Sequence, residues 1–265
     1  MRYLVTLVCG VLLVACATSP LGRRQLQLFP HAQMVEMGAT AYSKVKQETP
    51  IDRDPQVNRY VECVARAITS QLGSRGNLPS SWEVTVFREN EANAFALPGG
   101  KIGVYSGLLK VAETQGQLAT VIGHEVAHVL SGHANERVST TFATQTGLDL
   151  IAVLAGGSSA DRQNLMGLLG LGAQVGVLLP FSRAQESEAD LLGLDLMARA
   201  GFDPHQSVAL WKNMERQGGG SPPAFLSTHP SHDTRIRDLE RRMPHAVKLY
   251  QEARAAGRVP QCGSP

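Results

Sequence analysis

Residues 123–128 read Gly-His-Glu-Val-Ala-His, and that short stretch carries the first chemistry in the chain. Residues four apart on an α-helix share a face, so His124 and His128 can aim two imidazoles at one ion. That spacing suits the tetrahedral demands of Zn²⁺, one per chain. Glu125, one step round the helix, can reach a water on the open side of the metal. Zinc lowers the pKa of such a water towards neutrality, and Glu125 can take its proton. The competing reading is a half-buried amphipathic helix that holds two histidines by accident.

Zinc needs a third protein ligand. Downstream, Glu186-Ser187-Glu188-Ala189-Asp190 opens a helix expected over Ala184 to Ala200. Glu186 and Asp190 are four apart and share a face. With Glu186 as ligand, Asp190 can accept the outer N–H of a zinc histidine and fix its orientation. Glu188 is the rival ligand and points elsewhere on that helix. The alternative is a solvated acidic helix start, but Leu191, Leu192 and Leu194 follow directly and turn this segment inward. His133 lies at the wrong offset for the H-E-x-x-H-x-x-G-x-x-H pattern, with Ser131 where the Gly belongs. On a continuing helix it points away from His124, as a surface or supporting histidine.

Several elements must position these groups. Leu118, Val121, Ile122, Val126, Val129 and Leu130 give helical spacing, and no proline interrupts between Val111 and Ser131, so one helix is expected from Glu113 to about Ala134. Earlier helices are expected over His31 to Lys46 and from Asp54-Pro55, an N-cap and N1 pair, to about Leu72. Trp82 to Phe87 alternates as a strand, and Asn93 to Tyr105 reads as two strands about Pro98-Gly99-Gly100. One of these strands can lie along the cleft and take a peptide as an added strand, with Asn93, Ala94 and Phe95 as contacts; the bland reading is a structural hairpin. After a helix over His205 to Arg216, Thr228-His229-Pro230 makes a turn, and Asp233 or Ser231 caps a last helix ending near Arg242. His229 there could donate to a tetrahedral oxyanion, with Arg235 assisting.

The 265 residues carry a net charge of +2 with no long basic run, which argues against nucleic-acid binding. Leu4 to Ala15, after Arg2, has the length of a signal-peptide core and is too short to span a bilayer. Leu13-Val14-Ala15-Cys16 resembles a bacterial lipobox, which implies a signal peptide over 1–15, a lipidated Cys16 and a tether over 16–30 ahead of a domain over 31–265; the alternative is an ordinary signal peptide cleaved near Ala15 or Ala17. Ala17 after the lipidated cysteine favours the outer membrane. Cys63 and Cys262 remain and can pair in an oxidising compartment, or stay free. The Gly-rich apolar run from Leu165 to Phe181 lies at the lower limit for a membrane span; cleft-lining helices are preferred over a membrane-dipping hairpin.

Taken together, the H-E-x-x-H helix, the E-x-x-x-D helix, the Asn93-Ala94-Phe95-Ala96 … Pro98-Gly99-Gly100 hairpin and Thr228-His229-Pro230 followed by Arg235-Ile236 resemble the zinc metallopeptidase family that includes HtpX and the CAAX prenyl protease, in its periplasmic lipoprotein branch. The resemblance implies a mainly α fold with a small antiparallel β-sheet, a minigluzincin-like α+β domain. It implies zinc on His124, His128 and Glu186, Glu125 as general base and Asp190 behind a ligand. The implied function is a zinc endopeptidase that degrades misfolded or misassembled envelope proteins. The alternative is a usually latent protease that acts as a chaperone or assembly factor for outer-membrane proteins.

Overall fold

The computed structural model describes residues 16–73, 78–154, 180–217, 225–230 and 234–265. In chain order the elements are β1 (Cys16–Thr18), β2 (Arg24–Leu26), α1 (His31–Glu48), α2 (Pro55–Thr69), β3 (Glu83–Phe87), β4 (Ala94–Leu97), β5 (Lys101–Tyr105), a 3₁₀ turn (Ser106–Lys110), α3 (Gln115–Leu130), α4 (His133–Leu154), α5 (Arg183–Arg199), α6 (His205–Gln217), the single turn α7 (Phe225–Thr228) and α8 (Arg235–Ala255). The architecture is α+β, mainly helical.

Buried α3 is the axis. Its N-terminus is fixed by Thr114, whose hydroxyl accepts from the Gln117 N–H. Val121, Ile122, Val126 and Ala127 face a core shared with Val61, Val64 and Ile68 of α2 and with Leu194 and Met197 of α5. Helix α5 crosses α3 at backbone contact. A Cβ on Gly193 would meet the His124 nitrogen at 2.7 Å, and one on Gly123 would meet the Gly193 oxygen at 2.8 Å. The glycine pair therefore allows an approach close enough for short carboxylate side chains on α5 to reach the α3 histidines. Ser182 caps α5 in a reciprocal box with Gln185.

The three-stranded sheet has the order β3-β5-β4. It is mixed rather than antiparallel, as β3 runs parallel to β5 while β4 is antiparallel to it. Strand β5 is central and buried, with Ile102 and Val104 fully covered, and its neighbours on the two sides run in opposite directions. Tyr42 of α1 locks this pairing by contacts from its hydroxyl to Thr85 Oγ1 at 2.6 Å and the Ile102 carbonyl at 3.2 Å. Strand β4 is left as the edge, against α3.

Three boundaries differ from expectation. The motif helix ends at Leu130, because Gly132 adopts φ +65 and α4 starts afresh at His133. The last helix runs past Arg242 and through Pro244 to Ala255, with buried Ala246, Leu249 and Ala253 holding its second half to the core. Its N-cap position is Thr234, whose side chain makes no capping hydrogen bond to the first turn; Ser231 and Asp233 lie outside the described residues, as does His232. Residues 17–29 are docked along the domain: Gln25 donates to the Ser131 carbonyl, and the Leu28 N–H to Ser139 Oγ. The expected signal peptide at 1–15 lies outside the described residues, as does most of the Leu165–Phe181 run. Among the described residues no helix is long and apolar enough to cross a membrane. Cys63 on α2 and Cys262 in the carboxy-terminal tail form a disulfide.

Candidate metal centre

Helix α3 delivers His124, Glu125 and His128 to one buried point, each 2% exposed. The Nε2 atoms of His124 and His128 lie 3.0 Å apart. From α5, Glu186 places Oε2 at 3.4 Å from His124 Nε2 and Oε1 at 3.4 Å from His128 Nε2. His229, just after α7, brings Nδ1 to 3.0 Å from Glu186 Oε1 and 3.2 Å from His124 Nε2. One donor atom from each of these four residues lies within 4.8 Å of the others.

This donor set fits a divalent cation. The Nδ1 atoms of His124 and His128 are taken up by Asp190 and His133, at 3.0 and 2.8 Å. Protons on those nitrogens leave two Nε2 lone pairs converging on a carboxylate, inside the protein. Unpaired, such groups repel one another and are costly to bury; a cation turns the same arrangement into coordination. Glu186 Oε2 is buried with no hydrogen bond. Burial alone would raise the Glu186 carboxyl, but the imidazoles of His124, His128 and His229 beside it hold it far below the ordinary range. Burial drives His128 well below the usual imidazole pKa, towards the neutral form that binds metals.

Glu125 is arranged differently. Its Oε2 accepts from the Ala96 N–H of β4 at 3.2 Å. Its Oε1 is buried without a hydrogen bond, 3.3 Å from His229 Nε2. Burial pushes its carboxyl up, partly offset by His229 and His124. A carboxylate anchored through one oxygen, open at the other and raised in basicity is equipped to accept a proton.

Each α3 histidine has a support. Behind His124, Asp190 Oδ1 faces Nδ1 while Arg235 holds the carboxylate with Nε at 2.6 Å and Nη2 at 2.8 Å. Arg235 Nη1 also approaches Glu186 Oε2 at 2.9 Å, without hydrogen-bond alignment. The guanidinium packs 3.7 Å over the Trp211 ring. Arg235, expected as a cleft residue, has its donors facing two carboxylates and the His124 ring and its plane facing an indole, which places it behind the donor group. Behind His128, the helix break at Gly132 swings His133 inward, fully buried, where a continuous helix would have turned it away. Its Nε2 faces Glu188 Oε2 at 3.2 Å, so Glu188 sits against His133 and not in the four-residue donor group.

The edge strand forms one wall. The Tyr105 N–H bonds to the Asn93 carbonyl, so Asn93 and, two on, Phe95 turn their main-chain groups towards β5. Ala94 and Ala96 turn theirs outward. The Phe95 ring is packed among Tyr42, Phe87 and Tyr105. Of the expected contacts only Ala94 offers edge groups, and its N–H is held by Asn93 Oδ1 at 2.9 Å. Ala96 is the edge residue that alternation along the strand adds. A second wall is aromatic: His229 stacks on Phe225 at 4.4 Å and on Phe181 at 5.1 Å, and Phe181 stacks on His128 at 3.9 Å. Beside His128 a cavity of about 430 Å³ opens between the amino-terminal hairpin and the strand turn, lined by Gln25, Gln27, Phe29, Met34, Pro98 and Asn135.

The chain is similar to a set of metalloendopeptidases. It is 37% identical over 212 residues to the mitochondrial metalloendopeptidase OMA1 of Schizosaccharomyces pombe, covering 79% of this chain and 61% of that one. It is 30% identical over 251 residues to the mitochondrial metalloendopeptidase OMA1 of Homo sapiens, covering 87% and 46%. To the beta-barrel assembly-enhancing protease of Escherichia coli it is 27% identical over 217 residues, covering 79% and 44%. The chain thus spans less than two thirds of each of these proteins. Residues 53–243, which contain all four donors, Glu125, Asp190 and Arg235, match the model of peptidase family M48, and the chain belongs to that family.

Proposed function

We propose that this chain is a zinc-dependent endopeptidase of the bacterial cell envelope that degrades misfolded or misassembled periplasmic and outer-membrane proteins. The observation that carries the reading is the convergence of His124, His128 and Glu186 on one buried point, with the open oxygen of Glu125 beside it and an edge strand alongside. His124 Nε2, His128 Nε2 and the Glu186 carboxylate hold the ion. Bound there, zinc supplies a Lewis acid that polarises a carbonyl and acidifies water. Glu125 Oε1 takes the proton of the attacking water and returns it to the leaving amine, while Oε2 stays anchored to β4. Ala94 and Ala96, whose N–H groups are held by Asn93 and Glu125, offer their main-chain carbonyls to an extended peptide, which gives binding with little sequence preference. Asp190 and Arg235 keep His124 in the tautomer that presents Nε2.

The envelope placement draws on Arg2, the Leu4–Ala15 run and Cys16, on a disulfide that an oxidising compartment preserves, and on the similarity to a beta-barrel assembly-enhancing protease. In this reading lipid on Cys16 tethers the chain to the outer membrane, facing the periplasm.

A second reading is favoured by His229. Its Nδ1 belongs to the donor group and its ring is clamped between Phe225 and Phe181. With His229 as fourth ligand the substrate position is filled, and the protein is a usually latent protease that works as a chaperone or assembly factor. The test is zinc content and casein cleavage by the purified protein, beside Glu125→Gln and His229→Ala. Zinc in all three, with cleavage lost only in Glu125→Gln, supports the open protease. Cleavage that appears only in His229→Ala supports latency. A wild type without zinc overturns both.

A further inference from the structure

The second support reaches outside the family match. His133 Nδ1 lies 2.8 Å from His128 Nδ1, and His133 Nε2 lies 3.2 Å from Glu188 Oε2. The same Glu188 oxygen accepts from Arg23 Nε at 3.0 Å, and Glu188 Oε1 accepts from the Leu21 N–H at 3.4 Å. Arg23 is itself fixed by Glu136, which accepts from Nη1 and Nη2 at 2.5 and 2.6 Å and from Gln185 Nε2 at 2.7 Å. Arg23 precedes β2 in the turn of the β1–β2 hairpin, ahead of residues 53–243.

One proton arrangement satisfies this chain of contacts. If His128 Nε2 faces a cation, its Nδ1 carries the proton and donates to His133 Nδ1. Neutral His133 then carries its own proton on Nε2 and donates to Glu188. Glu188, already bonded by Arg23, can only accept. Reversing any donor would leave two N–H groups, or two lone pairs, facing each other in a buried space.

We infer that His133 is the positioning residue for His128, and that Arg23 holds the carboxylate that holds His133, so that the amino-terminal hairpin completes the metal centre. His133 acts on the reaction only through His128. The inference rests on the metal-centre reading and concerns how tightly and in what geometry the ion is held.

The test is metal binding by the full chain. Zinc affinity, read by competition with a chromophoric chelator, is expected to fall roughly 10–100-fold in His133→Ala, as for other partners of metal-bound histidines. The visible absorption of the cobalt-loaded protein is expected to change in shape. His133→Gln, whose amide can accept at one atom and donate at the other, is expected to recover most of the affinity. Should His133→Ala fail to fold, Arg23→Ala carries the test: its side chain is 26% exposed, and a fall of several-fold is expected. Arg242→Ala breaks a comparable ion pair, with Asp195, away from the centre, and is expected to bind zinc as wild type does. Wild-type affinity and spectrum in folded His133→Ala would overturn the inference. So would an Arg23→Ala loss no larger than that of Arg242→Ala. A wild type that binds neither zinc nor cobalt would instead overturn the metal-centre reading itself, a distinguishable result.

Discussion

The two histidines of α3 are held by the same logic in different surroundings. Behind His124 stand Asp190 and Arg235, both nearly without solvent, with side-chain exposures of 4% and 2%. Behind His128 stand His133, Glu188 and finally Arg23, at 0%, 4% and 26%. The first support is direct and lies inside residues 53–243; the second inserts an extra imidazole and ends near the surface, outside that span. Charges in a dry interior interact strongly and cost much when unpaired, whereas solvent screens the same pair near the surface. The difference teaches that the first support is bound up with folding of the core. The second can be loosened with the core intact, so its effect is expected on metal binding more than on stability.

The largest expected effect follows from the buried member. Arg235→Met keeps volume over Trp211 but leaves Asp190 and Glu186 as buried carboxylates without their cation. Breaking a buried ion pair from one side costs about 3–5 kcal/mol. Urea denaturation of the metal-free protein should show a loss in that range. A loss below about 1 kcal/mol would break the comparison, because the two supports would then be energetically alike.

The disulfide supplies a contrast, since it stabilises without touching either support. Cys63 and Cys262 are 199 residues apart, and removing such a cross-link costs on the order of 2–5 kcal/mol. Cys63→Ser with Cys262→Ser should lower the denaturation midpoint yet leave zinc affinity unchanged. A parallel fall in affinity would mean that metal binding follows global stability, and the supports would lose their separate meaning.

Next in size is the crossing that brings the acids to the histidines. Gly193→Ala sets a methyl 2.7 Å from the His124 nitrogen, so α3 and α5 must separate. Overpacking of this kind costs about 1–3 kcal/mol. Asp190 and Glu186 both ride on α5, so zinc affinity should fall along with stability. Thermal unfolding with and without zinc checks this: the zinc-dependent rise in Tm should shrink. An undiminished rise would show that the crossing does not set the donor geometry.

Much of this arrangement is legible in the sequence because it is local. His124 with His128, and Glu186 with Asp190, are pairs four apart on single helices, and helical periodicity alone puts each pair on one face. Asp54-Pro55 announces the start of α2 for the same local reason. What escapes is what depends on distant chain. The helix break at Ser131-Gly132 is weakly signalled by one glycine, yet it decides whether His133 faces solvent or His128. The parallel pairing of β3 with β5 is a long-range choice. Arg235 reads as a cleft residue beside His229, and only the packing of α8 against α5 and α6 turns it behind Asp190. His229 reads as an oxyanion donor; its place among the metal donors depends on the Phe181 and Phe225 stacks. Arg23 reads as part of a linker, because nothing near it in sequence names Glu136 or Glu188 as partners.

The smallest effect should come from the outer end of the second support, and acid titration is the way to see it. Burial alone would raise the Glu188 carboxyl, but hydrogen bonds from His133, Ser19 and Arg23 outweigh it and lower the pKa to about 2. Glu136 is likewise lowered: burial opposes, and the bonds from Arg23 and Gln185 prevail. For a carboxylate with a depressed folded-state pKa, the stabilisation is fully present above the unfolded-state value, about 4.3 for Glu. It is lost as pH falls towards the folded-state value. Metal-free wild type should therefore lose stability between about pH 4.3 and about pH 2 more steeply than Arg23→Ala, in which both carboxylates lose a partner. At pH 7 the two should differ only modestly, since Arg23 is partly in solvent. Identical acid slopes would mean that Arg23 is not coupled to Glu188 and Glu136 in solution. The second support would then stop at His133, and the hairpin would be a cover over the centre rather than part of it.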